Sequence, residues 1–462
     1  MQYAAALSHK HKAFLKKTFP ADALFFHKDE TVLFGVDSSR LSAQPWAVVC
    51  ADSVEQVQAL LRFAHKERIP VYPRARGTNM VGATVPCHGG IVLSTLRMNK
   101  IIDIDGDDFV AEVQPGVVTA DLQKAVEAQR LFYPPDPASL KISTIGGNVS
   151  TCAGGMRAVK YGVTREYVLG VEVVLPTGEI VRSGGRAHKN VVGLDIARLM
   201  CGSAGTLGVI TRLWMKLIPL PEQTASVLAG FSSFENALTA ARDVFRAGML
   251  PTAMEFMDGN AMRALSMAGE VPWPDSTKAA LLFRVDGSEE SVAAEVTRLE
   301  QALSSVGPTS LQKGIGAEAE EPLWEVRRRI SPSAFKLGPD KMGEDIAVPR
   351  GKTLEAVTKF HTIGQKCGVE ILCFGHLGDG NIHTNIMYDR SDTASLAGAK
   401  EAKSLVFDVV LGLGGTLSGE HGTGLTKGPY LNQQLSGDEL ALLTRVKHAF
   451  DPHNIMNPDK GW

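Results

Sequence analysis

The chain has few cysteines, and their spacing is unlike that of a thiolate-metal or disulfide-rich protein. The six are Cys50, Cys87, Cys152, Cys201, Cys367 and Cys373. No two of them have CxxC spacing, which argues against an iron–sulfur cluster within this chain. The scatter indicates reduced thiols in a cytoplasmic protein rather than a disulfide framework. Redox chemistry would therefore need an organic cofactor or a metal without thiolate ligands.

An excess of charge and a long apolar run are also missing. The 48 basic and 50 acidic residues give a formal net charge of −2, so nucleic acid is not an expected partner. No apolar run approaches the ~20 residues of a membrane span. The segment Met1–Lys17 starts apolar and then turns basic, the reverse of a secretory signal. An ordinary first helix is favoured there, and a basic amphipathic helix at a membrane surface is the alternative.

A chain of 462 residues is too long for one core and predicts two domains of roughly 200 residues each. A strand at 47–50, a helix capped by Ser53 and Gln56, and a strand at 71–72 open the chain. A hairpin turns at Pro176-Thr177-Gly178. Beyond a boundary at Pro219-Leu220-Pro221 we expect an open antiparallel sheet covered by helices. The pattern there predicts strands at 226–230, 253–257 and 279–285, and helices at 233–246 and 290–303.

Three glycine-rich stretches in the first half are candidates for ligand loops: 73–79, 143–148 with 153–155, and 202–208. Small residues let backbone N–H groups converge on an anion, although such a stretch taken alone is more often only a tight turn. The sequence has neither a Walker lysine motif nor a clean GxGxxG after the first strand. A nicotinamide dinucleotide is therefore disfavoured as the cofactor.

The second half carries an unusual cluster of histidine and carboxylate residues. His376 and His383 lie in HLGDGNIH, and Glu420 and His421 lie in SGEHGTG. Two imidazoles and a carboxylate are a typical ligand set for zinc or a similar divalent ion with open positions. The spacing of the two histidines fits a strand end, a glycine turn and a returning strand. Asn385 falls on the same face as His383 if that segment is extended.

The segment WEVRRR supplies three arginines, and a fixed guanidinium fork is suited to binding a carboxylate. A solvated helix face accounts for two of them. Ser331 follows Arg327 by one helical turn, and Lys341 is a second, weaker cation.

Taken together, the glycine-rich elements resemble the FAD domain of the vanillyl-alcohol oxidase (PCMH-type) superfamily over roughly residues 40–220. The matching pieces are 73–82, 113–116, 135–139, 144–148, 154–155, 161–162 and 205–211. The resemblance implies that Arg74 to Asn79 cradle the pyrophosphate. It further implies FAD contacts at Pro73, Arg74, Ala75, Arg76, Gly77, Thr78, Asn79, Pro135, Ser139, Thr144, Gly146, Gly147, Asn148, Gly154, Tyr161, Gly205, Gly208, Val209, Ile210 and Asn457.

One departure from that family concerns how FAD is held. Flavinylated members carry a histidine after a double glycine in the pyrophosphate loop, whereas this chain has Gly77-Thr78. We therefore expect non-covalent FAD. Ala204, where relatives often have glutamate, is a minor departure.

The second half resembles the FAD-linked oxidase C-terminal domain of D-lactate dehydrogenases, glycolate oxidase flavin subunits and D-2-hydroxyglutarate dehydrogenases. The residues that carry the resemblance are the HLGDGNxH and SGEHGxG motifs. It implies that His376, His383 and Glu420 bind a divalent metal, with zinc the first candidate, and that His421 is the base. It also implies that Arg327 pairs with the substrate carboxylate, with Ser331, Lys341 and Asn385 in the same pocket.

The expected fold is α+β: a two-part PCMH-type FAD domain (1–220), an antiparallel-sheet substrate or cap domain covered by helices (221–420), and a segment returning to the flavin (421–462). The expected reaction oxidises a small D-2-hydroxy acid, D-lactate first, to the 2-keto acid. Glycolate and D-2-hydroxyglutarate are alternative substrates, and an electron-relay flavoprotein subunit is an alternative of another class.

Electrons from the flavin should pass to a separate acceptor, because this chain has no second redox cofactor motif. The family resemblance offers a quinone, a cytochrome, electron-transfer flavoprotein or an iron–sulfur subunit. We expect a cytoplasmic protein, with a peripheral place at the inner membrane face and a homodimer left open.

Overall fold

The computed structural model describes residues 3–461, so Met1 and Gln2 at the start of the N-terminal segment, and Trp462, lie outside it. The chain forms two compact units. Among the described residues, the first consists of 3–154, 163–220 and 420–461, and the second of 155–162 and 221–419.

The strands and helices alternate irregularly along the chain. The strands are β1 (Leu24–Phe25), β2 (Ala47–Cys50), β3 (Val71–Arg74), β4 (Ile91–Ser94), β5 (Ile101–Asp105), β6 (Val110–Val113), β7 (Leu131–Phe132), β8 (Val168–Val174), β9 (Ile180–Gly184), β10 (Val209–Lys216), β11 (Ile218–Pro219), β12 (Gln223–Phe231), β13 (Ala253–Met257), β14 (Ala279–Gly287), β15 (Ser310–Ile315), β16 (Asp340–Ala347), β17 (Glu370–His376) and β18 (Asn381–Tyr388). The helices are α1 (His9–Thr18), α2 (Lys28–Thr31), α3 (Val54–Glu67), α4 (Thr119–Glu127), α5 (Ile145–Thr151), α6 (Ala158–Tyr161), α7 (Ile196–Met200), α8 (Phe234–Arg246), α9 (Gly259–Ala268), α10 (Glu289–Ser304), α11 (Ala317–Ser333), α12 (Thr353–Cys367), α13 (Thr393–Gly412), α14 (Leu431–Gln434) and α15 (Gly437–Phe450).

The first unit contains two larger sheets. In the order β1-β2-β4-β3, strands β2, β4 and β3 run parallel, as the opening strand–helix–strand pattern predicts. The order β5-β6-β10-β8-β9 is antiparallel throughout, and β8 and β9 form the predicted hairpin. The apolar face of α3, with Leu60 and Leu61 fully buried, packs in the core beside the parallel sheet.

The start of α3 differs in detail from the expected capping box. Ser53 is the N-cap but makes no side-chain hydrogen bond to the helix. Gln56 Oε1 instead accepts from the Asp52 N–H at 3.1 Å. The glutamine therefore reaches one residue too far back to close the reciprocal box with Ser53.

The second unit is built on one seven-stranded antiparallel sheet with the order β15-β12-β14-β13-β17-β18-β16. Helices α8, α10, α12 and α13 pack with one another and against the sheet, and α9 packs with α11. This architecture confirms the predicted α+β fold with an antiparallel sheet covered by helices. Within residues 3–461, no helix has both the length and the apolar character needed to cross a membrane.

The short segment 155–162 clusters with the second unit, although the sequence-based division kept it with residues 1–220. Lys160 Nζ donates to Asp286 Oδ1 at 2.5 Å, and Tyr161 Oη donates to Asp286 Oδ2 at 3.0 Å. Val159 packs against Gly378. These contacts hold α6 to elements more than a hundred residues away in sequence.

Asp258 is a fully buried acidic residue in the second unit. Its Oδ1 accepts from Ala261 N at 2.7 Å and so caps α9. Its Oδ2 accepts from Cys373 N at 2.8 Å and lies 2.7 Å from His361 Nε2. One carboxylate thus joins the end of β13, α9, α12 and β17.

Asp258→Ala is expected to lower the free energy of unfolding by about 3 kcal/mol, because it removes a helix cap and leaves a buried N–H without an acceptor. Urea titration followed by circular dichroism measures this. Asp438→Ala on exposed α15 is the matched control and should change stability by less than about 0.5 kcal/mol. A similar small change for both variants would contradict the role given to Asp258.

The Asp258–His361 pair predicts that the stability of the protein depends on pH. Burial lowers the pKa of His361, but hydrogen bonding and attraction to Asp258 outweigh it and raise that pKa above the usual 6.5. The stabilisation is therefore complete below pH 6.5 and is lost as pH rises through the folded-state pKa. The stability difference between the unchanged protein and His361→Gln should shrink from pH 6 to pH 8.

Candidate active site

A long cleft runs through the first unit, walled by the segments that the sequence identifies as glycine-rich. It contains about 1280 Å³ of unfilled space, part of it open to solvent. All the predicted FAD residues line it except Pro135, Tyr161 and Asn457. The lining residues that the sequence reasoning missed include Met80, Ala83, Thr84, Thr95, Ser143, Ser150 and Thr151.

The loop after β3 has the geometry of an anion cradle. Within residues 3–461, the backbone N–H groups of Arg76, Gly77 and Thr78 donate to no protein acceptor. Gly77 has φ +66°, and a Cβ there would overlap the Arg74 guanidinium. Free N–H groups on a left-handed turn suit a pyrophosphate, so these residues fit the phosphate part of a dinucleotide.

Arg74 and Asn79 brace this loop from inside. The Arg74 guanidinium is buried, donates to Thr84 Oγ1 at 2.9 Å, and has a pKa lowered by desolvation. Asn79 Oδ1 accepts from Val81 N at 3.3 Å and Ala83 N at 2.9 Å. Both side chains line the cleft, and these bonds show that they also fix its shape.

The opposite wall approaches closely at α5. Thr144 is the N-cap and its Oγ1 accepts from Gly147 N at 3.2 Å. Gly146 has no room for a side chain, since a Cβ would overlap Pro115. A glycine is therefore required here for the helix to pack against the loop that contains Pro115.

The three predicted cofactor residues outside the cleft have other roles in the structure. The Pro135 carbonyl accepts from Gln123 Nε2 at 2.9 Å, and Tyr161 bonds to Asp286 in the second unit. Asn457 Nδ2 donates to the carbonyls of Ala83 and Ala204, at 2.9 and 2.6 Å. Asn457 therefore ties two cleft walls together from behind.

Glu420 and His421 also line this cleft, a placement that their motif alone did not reveal. Glu420 Oε1 lies 3.7 Å from His421 Nε2. A Cβ on Gly154 would approach Glu420 Oε2 to 2.8 Å. Both residues belong to the first unit, whereas the two other predicted metal ligands belong to the second.

In the second unit, His376 and His383 come together as their spacing predicts. His376 ends β17, His383 lies on β18, and a four-residue turn joins the strands. The two rings meet edge to face with centroids 5.1 Å apart. A ring nitrogen of one lies within 4.8 Å of a ring nitrogen of the other, close enough for both to bind one ion.

Each histidine faces a carboxylate on the neighbouring strand. Glu255 on β13 pairs with His376, and Asp345 on β16 pairs with His383. Glu255 Oε1 lies 2.6 Å from His376 Nδ1, whereas Asp345 Oδ1 lies 3.9 Å from His383 Nδ1. The carboxylate hydrogen-bonded to His376 Nδ1 keeps the proton on that nitrogen, which puts the lone pair of the ring on Nε2, as in histidines that bind metals.

Glu255 also binds Arg327. Its Oε2 accepts from Arg327 Nε at 2.8 Å, and Glu255 is fully buried. Desolvation opposes ionisation, but attraction to His376 and Arg327 lowers the pKa of Glu255 below its usual value. The carboxylate therefore stays charged at neutral pH and fixes both partners.

This geometry leaves Arg327 able to bind an anion. Its guanidinium stacks over Phe374, with Cζ 4.6 Å from the ring centroid. Only its Nε is committed to Glu255 among the described residues, so its terminal nitrogens can fork a carboxylate. Arg328, its neighbour in sequence, lies on the exposed face and pairs with Glu321 and Glu325.

The other predicted substrate residues lie in the same unit. Lys341 Nζ donates to Ser331 Oγ at 2.8 Å. Asn385 is 95% buried, and its Nδ2 has no hydrogen-bond acceptor among the described residues. A buried amide donor without a protein acceptor is unusual and fits a ligand oxygen.

Family models match both halves of the chain. The description "FAD linked oxidases, C-terminal domain" matches residues 220–461, and "FAD binding domain" matches residues 45–184. These matches confirm the resemblance drawn from the two motif sets.

Similar proteins cover nearly all of the chain. A glycolate oxidase subunit GlcD of Bacillus subtilis is 39% identical, covering 90% of this chain and 89% of its own. A D-lactate dehydrogenase of Anaerostipes hadrus is 35% identical, covering 94% and 92%. A D-2-hydroxyglutarate dehydrogenase of Stutzerimonas stutzeri is 34% identical, covering 94% of each chain.

Solved structures agree on the fold. p-Cresol methylhydroxylase superposes with a TM-score of 0.79 at 17% identity, covering 99% of this chain and 98% of that one. An alkyldihydroxyacetonephosphate synthase gives 0.75 at 23% identity, covering 98% and 86%. With the anion cradle, the glycine-lined cleft and both family matches in agreement, the chain belongs to the FAD-linked oxidase family and carries its FAD-binding domain.

Proposed function

We propose that this protein is an FAD-dependent dehydrogenase that oxidises a small D-2-hydroxy acid, D-lactate first, to the 2-keto acid. The observation that carries the proposal is the buried Glu255, which holds Arg327 at 2.8 Å and His376 at 2.6 Å. Glu255 thus holds both an imidazole and a guanidinium suited to binding a carboxylate. A 2-hydroxy acid presents a carboxylate and a hydroxyl on adjacent carbons, which matches this pair.

In this proposal, Arg327 binds the substrate carboxylate through its terminal nitrogens, and Asn385 Nδ2 and Lys341 with Ser331 bind further oxygens. His421 accepts the proton of the 2-hydroxyl. FAD, when bound, supplies the two-electron acceptor for the hydrogen on C2. A divalent ion held by His376, His383 and Glu420 would supply Lewis acidity that lowers the hydroxyl pKa.

Glycolate and D-2-hydroxyglutarate are alternative substrates, supported by the names of similar proteins. The name "glycolate oxidase subunit" also favours a separate partner that receives the electrons. A quinone, a cytochrome, electron-transfer flavoprotein and an iron–sulfur subunit are the candidates. The cytoplasmic location, a peripheral membrane association and a homodimer stay predictions.

An electron-relay subunit is the alternative of another class. Anaerobic mixing of the purified chain with D-lactate, L-lactate, glycolate and D-2-hydroxyglutarate separates the two, with flavin absorbance as the readout. We expect bleaching by at least one D-2-hydroxy acid or glycolate, and slower bleaching by L-lactate. If none bleached the flavin while dithionite did, the dehydrogenase proposal would fall and the relay role would gain support.

FAD should be bound non-covalently, because Thr78 replaces the histidine of flavinylated relatives. Acid precipitation is expected to release all the yellow colour into the supernatant.

Gly146→Val should weaken FAD binding by about 10- to 100-fold, the equivalent of the 1–3 kcal/mol typical of overpacking. Gly106→Val is the control, since a Cβ there meets nothing within 4 Å. Equal flavin content in both variants would contradict the assigned cleft.

Arg327→Lys is expected to lower kcat/KM by about 100-fold, mainly through KM, because lysine cannot fork a carboxylate while bound to Glu255. Glu255→Gln keeps the shape of the side chain and removes its charge, so it should also weaken binding of the substrate carboxylate. Arg328→Lys is the matched control and should leave kcat/KM unchanged. Steady-state kinetics with normalised flavin content tests this, and equal effects of the two arginine changes would refute the role of Arg327.

His376→Ala and His383→Ala should each reduce turnover by more than about 1000-fold while FAD stays bound. Elemental analysis of the same samples should show that any divalent ion present in the unchanged protein is lost. The exposed His9→Ala is the control. Full activity of His376→Ala would overturn the metal part of the mechanism, whatever the result of the flavin test.

A further inference from the structure

A thiol, an imidazole and a carboxylate that the proposed reaction does not use meet at the surface of the first unit. Cys87 and His88 lie in the turn before β4, and Asp459 lies in the C-terminal segment 455–460. One potential ligand atom of each residue lies within 4.8 Å of the other two. His88 Nε2 and Asp459 Oδ2 are hydrogen-bonded, although 371 positions separate the two residues in sequence. The fold of the first unit therefore brings three different donor groups to one point.

The turn that carries the thiol and the imidazole is held by hydrogen bonds. The Gly89 N–H donates to the Pro86 carbonyl at 2.9 Å, and the His88 N–H donates to Tyr72 Oη at 3.0 Å. Tyr72 is fully buried, and its Oη also lies 3.9 Å from Cys87 Sγ. The thiol and the imidazole therefore project from a backbone that is fixed to the core.

The C-terminal segment is fixed beside the same turn. The Asn457 N–H donates to the Val71 carbonyl at 2.8 Å, and Cys87 Sγ donates to the Pro458 carbonyl at 3.6 Å. Asp459 has φ +62°, in the left-handed region that favours glycine. Such conformations are strained for other residues and cluster at ligand sites. The strain at Asp459 therefore adds a second reason to look for a ligand here.

Lys460 contacts the thiol from the buried side. It is 3% exposed, and its Nζ donates to the Val85 carbonyl at 2.8 Å and to Cys87 Sγ at 3.4 Å. Within residues 3–461, Lys460 makes no ion pair with a carboxylate. A buried ammonium group requires a negative partner. A Cys87 thiolate would supply that charge, and the thiolate is also the form of cysteine that binds metals.

We propose that Cys87, His88 and Asp459 form a zinc site that ties the C-terminal segment to the turn before β4. Zinc accepts thiolate, imidazole and carboxylate ligands, and water completes the tetrahedron. The thiolate and the carboxylate together balance the charge of the ion, and the thiol proton is released on binding. Bonds of about 2.0–2.3 Å to zinc place neighbouring ligand atoms about 3.5 Å apart, which exposed side chains already within 4.8 Å reach by small rotations.

The ligand set also determines which ions bind and how tightly they are kept. A sulfur ligand disfavours magnesium and calcium, which prefer oxygen. All three side chains are exposed, so the ion exchanges with solution and desalting removes it. Asn457, two residues before Asp459, joins the carbonyls of Ala83 and Ala204 in the cleft walls. Zinc at this surface site would therefore fix the segment that shapes the FAD cleft.

The test uses the full-length, FAD-loaded protein, reduced and desalted, with zinc chloride as the probe. Brief treatment with iodoacetamide, followed by peptide mass spectrometry, gives the alkylation rate of each cysteine. We expect zinc to slow alkylation of Cys87 by at least about tenfold, because the metal blocks the sulfur, and to leave the partly exposed Cys367 unaffected. Magnesium should protect neither. X-ray absorption at the zinc edge should show one sulfur ligand at about 2.3 Å, which His376 and His383 cannot supply.

Variants separate a three-ligand site from zinc binding by the thiol alone. Asp459→Gly removes the carboxylate and suits the left-handed backbone, so this variant should fold. Asp459→Gly and His88→Ala should each raise the zinc concentration that half-protects Cys87 by about 10- to 100-fold. Asp438→Ala, the control, should leave that concentration unchanged. Half-protection at the same zinc concentration in all of these proteins, or no protection of Cys87 with zinc in tenfold molar excess, would overturn the proposal.

Discussion

The buried carboxylate of Glu255 is the constraint on which the proposed substrate site depends. A charge with no solvent contact must be paired, and here two cations or hydrogen-bond donors share it: Arg327 and His376. Removing one partner from such a buried group typically costs about 3–5 kcal/mol of stability, because the remaining charge is neither paired nor solvated. The same requirement that stabilises the sheet therefore holds the guanidinium and the imidazole in one fixed arrangement. The interactions of Glu255 therefore contribute both to packing and to the proposed function.

The shape of the FAD cleft is fixed in a different way, by side chains that hydrogen-bond to the segments forming its walls. Asn457 joins the carbonyls of Ala83 and Ala204, and Arg74 and Asn79 brace the loop after β3. In the loop after β3, Gly77 and the free N–H groups of residues 76–78 can approach a phosphate closely. This explains why a match by sequence at Asn457 marks a residue that shapes the cleft without lining it.

The sequence predicts most local features, because they depend on neighbours in the chain. The glycine loops, the hairpin at residues 176–178 and the turn between His376 and His383 all follow from short-range patterns. Glu255 could not be found in this way, since it stands in an apolar strand 121 residues from His376, and only the β13–β17 register makes them neighbours. Tyr161 is a second case: a family pattern at residues 161–162 predicts it as a cofactor contact, whereas its bond to Asp286, 125 residues away, could not be seen in the sequence.

The contacts within each of the two units explain the residues of the SGEHG motif. Gly419 belongs to the second unit, where a Cβ would overlap the Asn381 amide, so only glycine fits. Glu420, the next residue, belongs to the first unit and lies over Gly154. The motif therefore contains the last of the four points at which the chain passes from one unit to the other. His421, the proposed proton acceptor, follows the last residue of the second unit by two positions. Gly419, packed against Asn381, and Gly154, packed against Glu420, each have no room for a side chain, which accounts for glycine at these two positions next to the acid.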